Sequence, residues 1–340
     1  MIEIDGSEGE GGGQVLRTAL SLSCITNESF KLTNIRANRK NPGLANQHMT
    51  AVLAAAGISR AQVIGNNLGS TSLEFMPKLV NPGRYSFDIG TAGSTALVLQ
   101  SVLPALMLAN GKSQVTIKGG TDNKWAPTMG YMQHVYIPVL SKLGVQVNLH
   151  VRLRGFYPRG GGEIQVAVEG GVPLRPVALG ERGDFERFEV MIDHAQLPPG
   201  VAENVAKLCK AALNPYGRVD VIEKNWSDDG PGSGIGLCAT AVFRHTVLGA
   251  SAVGERGLPS PKLASEVCDG LLSEFKGRGT VDIQAADQLL LPLAIAPPGS
   301  FFTVRELSGH AKTNINVIGK FLGKKFKIRQ ADGVVNVETI

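Results

Sequence analysis

Tyr85-Ser86-Phe87-Asp88-Ile89-Gly90-Thr91-Ala92-Gly93-Ser94 alternates apolar with polar residues and then breaks into a glycine-flanked turn. Alternation of period two lays one face of a strand against a core. An apolar run over about 94–108 follows, with Gln100 polar within it, and reads as a helix. Asn110-Gly111 is a turn, and 114–118 alternates again as a second strand. A helix over about 128–143 and strands over 145–154 and 163–168 close a βαβαββ unit.

The same order of elements recurs on either side. Toward the N-terminus it is a strand over 2–6, a helix over about 14–24, a strand over 30–36, a helix over about 44–56, and paired strands near 62–64 and 72–75. Toward the C-terminus it is a strand over 280–283, a helix over about 287–295, a strand over 302–307, a helix after His310, and a hairpin (325–329, 334–338) turning at Asp332-Gly333. The repetition is of pattern, not of residues. It predicts an α+β fold, an α/β sandwich, in which three βαβαββ units bury helix pairs against sheets in one large domain, 1–184 and 277–340. Residues 185–276 break the pattern with their own strands and helices and read as a smaller inserted α/β domain. Within it, the loop 226–234 is rich in Asp, Gly, Pro and Ser and is expected to be exposed.

Composition narrows the function classes. The chain has 340 residues, 43% of them hydrophobic, ample for a core. No apolar run reaches membrane-spanning length, because Gln100 and Pro104 interrupt the longest. Met1-Ile2-Glu3-Ile4-Asp5 starts a strand without a targeting pattern. Cys24, Cys209, Cys238 and Cys268 are too scattered for a zinc site and read as buried free thiols of a reducing, cytoplasmic setting. A net charge of +5 suits a polyanionic partner without demanding one.

The chemistry-bearing stretches sit where strands hand over to helices. Gly9-Glu10-Gly11-Gly12-Gly13-Gln14 can converge backbone N–H groups on an anion at a helix start. It is neither a dinucleotide fingerprint nor a P-loop, since Gln14 replaces the last glycine of the first and no Gly-Lys-Ser/Thr follows. Glu10 within an anion-binding loop makes sense if a divalent cation bridges it to phosphate. Gln14 and Arg17 share a helical face. Arg36, Arg39 and Gln47 follow the next strand, and arginine's planar fork suits phosphate oxygens. Gln100 is a polar side chain on an apolar helix and needs a partner. Gln284-Ala285-Ala286-Asp287-Gln288 is expected as a loop entering a helix, with Asp287 a possible N-cap. Ser308-Gly309-His310 puts an imidazole at a helix mouth, where the free N–H groups and the positive dipole end favour attack on phosphate.

Taken together, the 8–17 segment, Arg36 to Arg39 with Pro42-Gly43 and Gln47-His48, and Gly93-Ser94 to Gln100 resemble the RNA 3′-terminal phosphate cyclase family. So do Gly119-Gly120-Thr121-Asp122, the stretch 155–162, Ala286-Asp287-Gln288, and Gly309-His310 with Thr313-Asn314. The resemblance spans essentially the whole chain. It implies three repeated units with an inserted domain. It also implies ATP-dependent conversion of an RNA 3′-terminal phosphate to a 2′,3′-cyclic phosphate through a histidine–AMP and an RNA(3′)pp(5′)A intermediate, releasing AMP and pyrophosphate. His310 matches the nucleophile, and Glu10 the ligand of a divalent cation, Mg or Mn. Gln14, Arg17, Arg36, Arg39 and Gln47 match the RNA-phosphate region. Gln100 and Gln284, Ala285, Ala286, Asp287 and Gln288 match positions contacting ATP, although Gln284 stands where some members carry a bulky aromatic. The resemblance leaves the oligomeric state open.

Three rivals weigh less. A non-catalytic relative in ribosome assembly lacks the histidine that His310 supplies. An enolpyruvyl transferase uses the same unit more times than this length allows. A plain RNA-binding protein would be expected to show an RRM, KH or aromatic RNP motif, and none appears.

Overall fold

The computed structural model describes residues 1–227, 232–255 and 257–340. The first unit runs β1 (Ile2–Asp5), α1 (Gly13–Thr26), β2 (Phe30–Thr33), α2 (Asn46–Ser59), β3 (Gln62–Ile64) and β4 (Leu73–Met76). Its sheet has the order β1-β2-β4-β3, with β1 and β2 parallel and the other pairs antiparallel. The second unit runs β5 (Arg84–Asp88), α3 (Thr95–Leu108), β6 (Gly111–Gly119), a helix in three pieces, β7 (Gln146–Leu153) and β8 (Gly162–Gly170). The pieces are α4 (Met129–Tyr131), a π-helical stretch (Met132–Tyr136) and α5 (Ile137–Ser141). Here too the first strand edges the second, then the fourth, then the third: β5-β6-β8-β7.

The third unit departs from the sequence expectation in one instructive way. Residues 280–283 form no strand. Asp282 instead caps a helix, its Oδ1 accepting from the Ala285 N–H at 2.8 Å. The first strand of this unit is β9 (Ala178–Leu179), which lies parallel to a strand 123 residues further on. The chain leaves β9 and forms β10 (Phe185–Ala195), α6 (Val201–Leu213), β11 (Val219–Asn225), β12 (Gly234–Phe243), β13 (Val247–Gly254) and α7 (Ser260–Lys276). It then resumes the unit with α8 (Ile283–Ile295), β14 (Phe301–Val304), α9 (Gly309–Leu322), β15 (Phe326–Ala331) and β16 (Val334–Thr339). The resulting sheet, β9-β14-β16-β15, repeats the strand order of the other two. The extra segment therefore splits the third unit after its first strand.

The helices of the three units pack on one another, α1 on α3 and α9, α2 on α3, and α8 on α9. A helix in that position is apolar nearly all round, and α1 is buried without a break from Val15 to Cys24. The sheets keep one face toward solvent, as the alternating burial along β6 shows. The extra segment carries its own sheet, β11-β10-β12-β13, and its own core, in which Val190, Leu237 and Leu248 meet Val205 and Leu271.

Polar contacts join that sheet to the rest. Tyr131 donates its hydroxyl to Asp282 Oδ1 at 2.5 Å, and the Gly249 N–H reaches Asp282 Oδ2 at 2.9 Å. Arg154 binds Asp122 at 2.8 Å and Asp193 at 2.6 Å, with all three side chains nearly or wholly out of solvent. Trp226, expected in an exposed loop, is buried. Its indole N–H donates to Asp193 Oδ1 at 2.8 Å, which satisfies the one polar atom the ring carries. Residues 228–231 of that loop lie outside the described residues.

Candidate active site

Three helix starts meet at one end of the helical layers. At the start of α1, Gly9 and Gly11 have φ of +64° and +57°, the left-handed region that favours glycine. Gly12 is the N-cap and supplies no side-chain acceptor, so the first N–H groups of α1 face outward unsatisfied by a cap. Arg39 leans over this turn: a Cβ built on Gly12 would lie 2.8 Å from its Nη2. His48, in the first turn of α2, is buried, and its Nδ1 accepts the Ala45 N–H at 3.3 Å. That places the ring proton on Nε2, the atom packed against Gly13. Burial, then Arg17 and Arg36, push the His48 pKa down to about 3, so the ring is a neutral donor.

Arg17 is buried and donates through Nη2 to Gln14 Oε1 at 2.5 Å. Burial, and secondarily Arg39, pull its pKa down to about 10. Gln14 in turn donates to Asn314 Oδ1 on α9 at 2.9 Å. Gln47 accepts the Ser94 N–H at 3.0 Å, tying the second unit's turn to this corner. Arg36 is half-buried and holds the Gly43 carbonyl at 2.6 Å.

His310 sits on the first turn of α9, as its sequence context predicts. Ser308 is the N-cap: its Oγ accepts from the Ala311 N–H at 2.9 Å and donates to Asp287 Oδ1 at 2.6 Å. Glu10 Oε2 lies 2.8 Å from His310 Nδ1, off the line of a good hydrogen bond. A carboxylate so close still favours a proton on Nδ1 over a lone pair, which leaves the Nε2 lone pair for attack. Burial lowers the His310 pKa and outweighs the opposing pull of Glu10, so the ring is neutral at pH 7. Gly309 lies directly against Glu10 Oε1, where a side chain would collide. Burial raises the Asp287 carboxyl to about pH 7, with Glu10 adding to the rise and the Ser308 hydrogen bond opposing it.

A cleft of about 510 Å³ opens beside His310. Of the residues singled out in the sequence, Gln14, Arg17, Gln100, Gln284, Asp287, Gln288 and His310 line it. Gln284, Asp287 and Gln288 are not in a loop. They share one face of α8, spaced three and four apart, because the helix begins at Ile283. Ala285 and Ala286 point the other way and are buried beneath the cleft. Gln100 donates to Gln288 at 2.9 Å across the cleft wall. Glu10, Arg36, Arg39 and Gln47 gather around the start of α1 instead.

Two contributors received no role from the sequence. One is His48, which its place three residues after Ala45 marks as a helix-start residue. The other is the far wall of the cleft, made by Asn123 to Thr128 and by Ser251, Ala252, Val253 and Leu258 of the extra segment. The glycine–polar turn ending at Asn123 is legible locally, but nothing local announces that it faces Ser251 to Leu258. Among the described residues, no group of three or more His, Cys, Asp or Glu is placed to hold a metal by itself. No helix among them is long and apolar enough to cross a membrane.

The fold and site define an α+β protein of three like units with a glycine turn and clustered arginines beside a histidine. A family model described as RNA 3′-terminal phosphate cyclase matches residues 8–328. The RNA 3′-terminal phosphate cyclase of Nitrosospira multiformis is 42% identical over 338 residues, 99% of this chain and 96% of the relative. Those of Nostoc punctiforme and Methanosarcina mazei are 41% and 40% identical, with 99% or more of both chains covered. A solved EPSP synthase from Acinetobacter baumannii aligns with a TM-score of 0.25 and 13% identity over 61% of this chain and 53% of its own, too slight a likeness to carry an argument. The chain belongs to the RNA 3′-terminal phosphate cyclase family.

Proposed function

We propose that this chain converts an RNA 3′-terminal phosphate to a 2′,3′-cyclic phosphate at the expense of ATP, through a covalent bond between His310 and AMP. The observation that carries the reading is His310 on the first turn of α9, its Nδ1 against Glu10 and its ring at a cleft shared with Arg17, Gln100, Asp287 and Gln288. Nε2 attacks the α-phosphorus of ATP and pyrophosphate leaves. An oxygen of the RNA 3′-phosphate then attacks the histidine-bound phosphorus, which frees the imidazole and gives RNA(3′)pp(5′)A. The neighbouring 2′-hydroxyl closes on the 3′-phosphorus, releasing AMP, and proximity favours the ring.

The chain's own residues divide this work. The apolar wall of Leu97, Pro104, Leu291 and Pro292, with the Gln100 and Gln288 amides, suits a purine. The start of α1, with Arg17, Arg39 and the His48 Nε2–H, suits a terminal phosphate dianion. Glu10 is the residue that would hold a divalent cation, Mg or Mn. One carboxylate completed by phosphate oxygens is a fit for such a hard ion, and no all-protein cage is needed. When bound, the ion neutralises phosphate charge.

The test uses ATP labelled at the α-phosphate with divalent cation present. The protein is expected to take up acid-labile, base-stable label. Label that survives His310→Ala would remove the nucleophile, and no label at all would favour a binding protein. Arg39→Ala is expected to spare self-labelling and impair transfer to RNA; equal loss of both steps contradicts its role at the RNA phosphate.

A further inference from the structure

Trp125 is the most exposed large apolar residue among those described, 89% open to solvent. Burying so large a ring would be favourable, so its exposure at the rim of the cleft calls for an occupant. Its backbone sits at φ +66°, a region non-glycine residues rarely adopt and one that concentrates at ligand clamps. The loop is anchored on both sides of it. The Asn123 amide is hydrogen-bonded to the Ala92 carbonyl, Asp122 is held by Arg154, and Thr128 caps α4. Lys124, ion-paired to Glu255 at 2.9 Å, places its ammonium 5.3 Å from the indole centre.

A second exposed ring comes from the neighbouring loop. Phe156 bridges to Asp122, and Gly160 packs on Ala92, so this loop and the Trp125 loop converge on Ala92. Tyr157, next to Phe156, is 74% exposed. Ala92 lies two residues from Ser94, whose N–H is held by Gln47 at the phosphate corner. The buried stretch 92–94 therefore ties the corner at Gln47 to the two loops that carry the open aromatic rings.

We propose that Trp125 and Tyr157 are a stacking platform for the bases of the RNA strand just upstream of its 3′ end. The inference rests on the RNA-end reading above and adds a subsite to it. Aromatic faces beside cationic groups are how single strands are held without regard to sequence, since every base offers a π-face. The purine of ATP has an enclosed apolar wall of its own deeper in the cleft, which leaves the rim for a second base. The platform is therefore indifferent to base identity and acts on RNA affinity.

The full-length protein, titrated with a 3′-phosphorylated hexaribonucleotide, is expected to lose tryptophan emission. Trp226 is buried, so the quenching belongs to Trp125 and disappears in Trp125→Phe. In transfer assays, Trp125→Ala raises the KM for RNA about tenfold more than it raises the KM for ATP, and Tyr157→Ala has a smaller effect in the same direction. Phenylalanine at 125 restores most of the affinity. The alanine penalty vanishes on RNA made abasic at its two 3′-terminal positions. No quenching, a penalty that persists on abasic RNA, or a penalty in ATP affinity instead overturns the platform. A protein that never takes label from ATP sinks the cyclase reading alone, because quenching by RNA needs no catalysis.

Discussion

Arg17 and Arg154 are both buried guanidinium groups, at 8% and 2% exposure, and the fold treats them in opposite ways. Arg154 lies between Asp122 and Asp193, and Trp226 donates to the second of these. Burial works against its charge, but the two carboxylates more than offset that and hold its pKa up. Arg17 faces no carboxylate among its partners. It has the Gln14 amide oxygen and a second arginine nearby, and its pKa falls to about 10. An uncompensated buried cation is expensive, so it persists where an anion completes it. The contrast separates a staple from a buried cation left without a counter-charge. Neutralised charge joins the extra sheet to the second unit, and unneutralised charge waits at the start of α1.

The contrast can be broken most directly at Arg154. Arg154→Met strands two buried carboxylates and is expected to lower unfolding stability in urea by about 3–5 kcal/mol. A neutral outcome would mean the cluster holds nothing together. Arg17→Met should do the reverse: stability stays level or rises, while AMP transfer to RNA falls by roughly 10²–10³, about 2.7–4 kcal/mol in the barrier. A stability loss as large as that at Arg154 would erase the distinction.

Asp287 sharpens it from the acidic side, being a half-buried carboxyl with a hydroxyl partner but no cation. Its pKa is near 7 when folded against 3.8 for the free side chain, so between those values the folded chain holds a proton the unfolded chain has released. Stability contributed by this group must therefore decline as pH rises from about 4 to 7, by roughly 3 kcal/mol. Asp287→Asn should flatten that decline when urea midpoints are compared at pH 5 and pH 7; an unchanged slope would assign it to other groups. The smallest expected effect is a gain of about 1 kcal/mol in wild-type thermal stability at inorganic phosphate a few times its Kd, absent in Arg17→Met. An equal gain in both proteins would place the anion elsewhere.

Much of this was legible beforehand, and the failures are specific. The strand of the second unit and its glycine turn announced the repeat, because period-two alternation and the following apolar run are local properties. The helix start at His310 was legible for the same reason, while its cap by Ser308 came from the structure. The first strand of the third unit was not. Ala178–Leu179 is too short to show a period, and the extra segment separates it from the rest of its unit. Thr280 to Ile283 looked like that strand, yet Asp282 caps α8 there, which moved Gln284 and Asp287 from a loop onto a helix face. Trp226 was read from its polar neighbours, while its burial was set by Asp193 across the sheet.

The sequence by itself determined the alternating strands, the glycine-led helix starts and the histidine at one of them, since these follow from neighbours a few residues apart. Only the tertiary structure decided which charges are paired. Arg154 meets its acids 32 and 39 positions away, and Gln14 meets Asn314 across 300. Such contacts are fixed by packing between elements, so the difference between a paired and an unpaired buried arginine has no local signature in the chain.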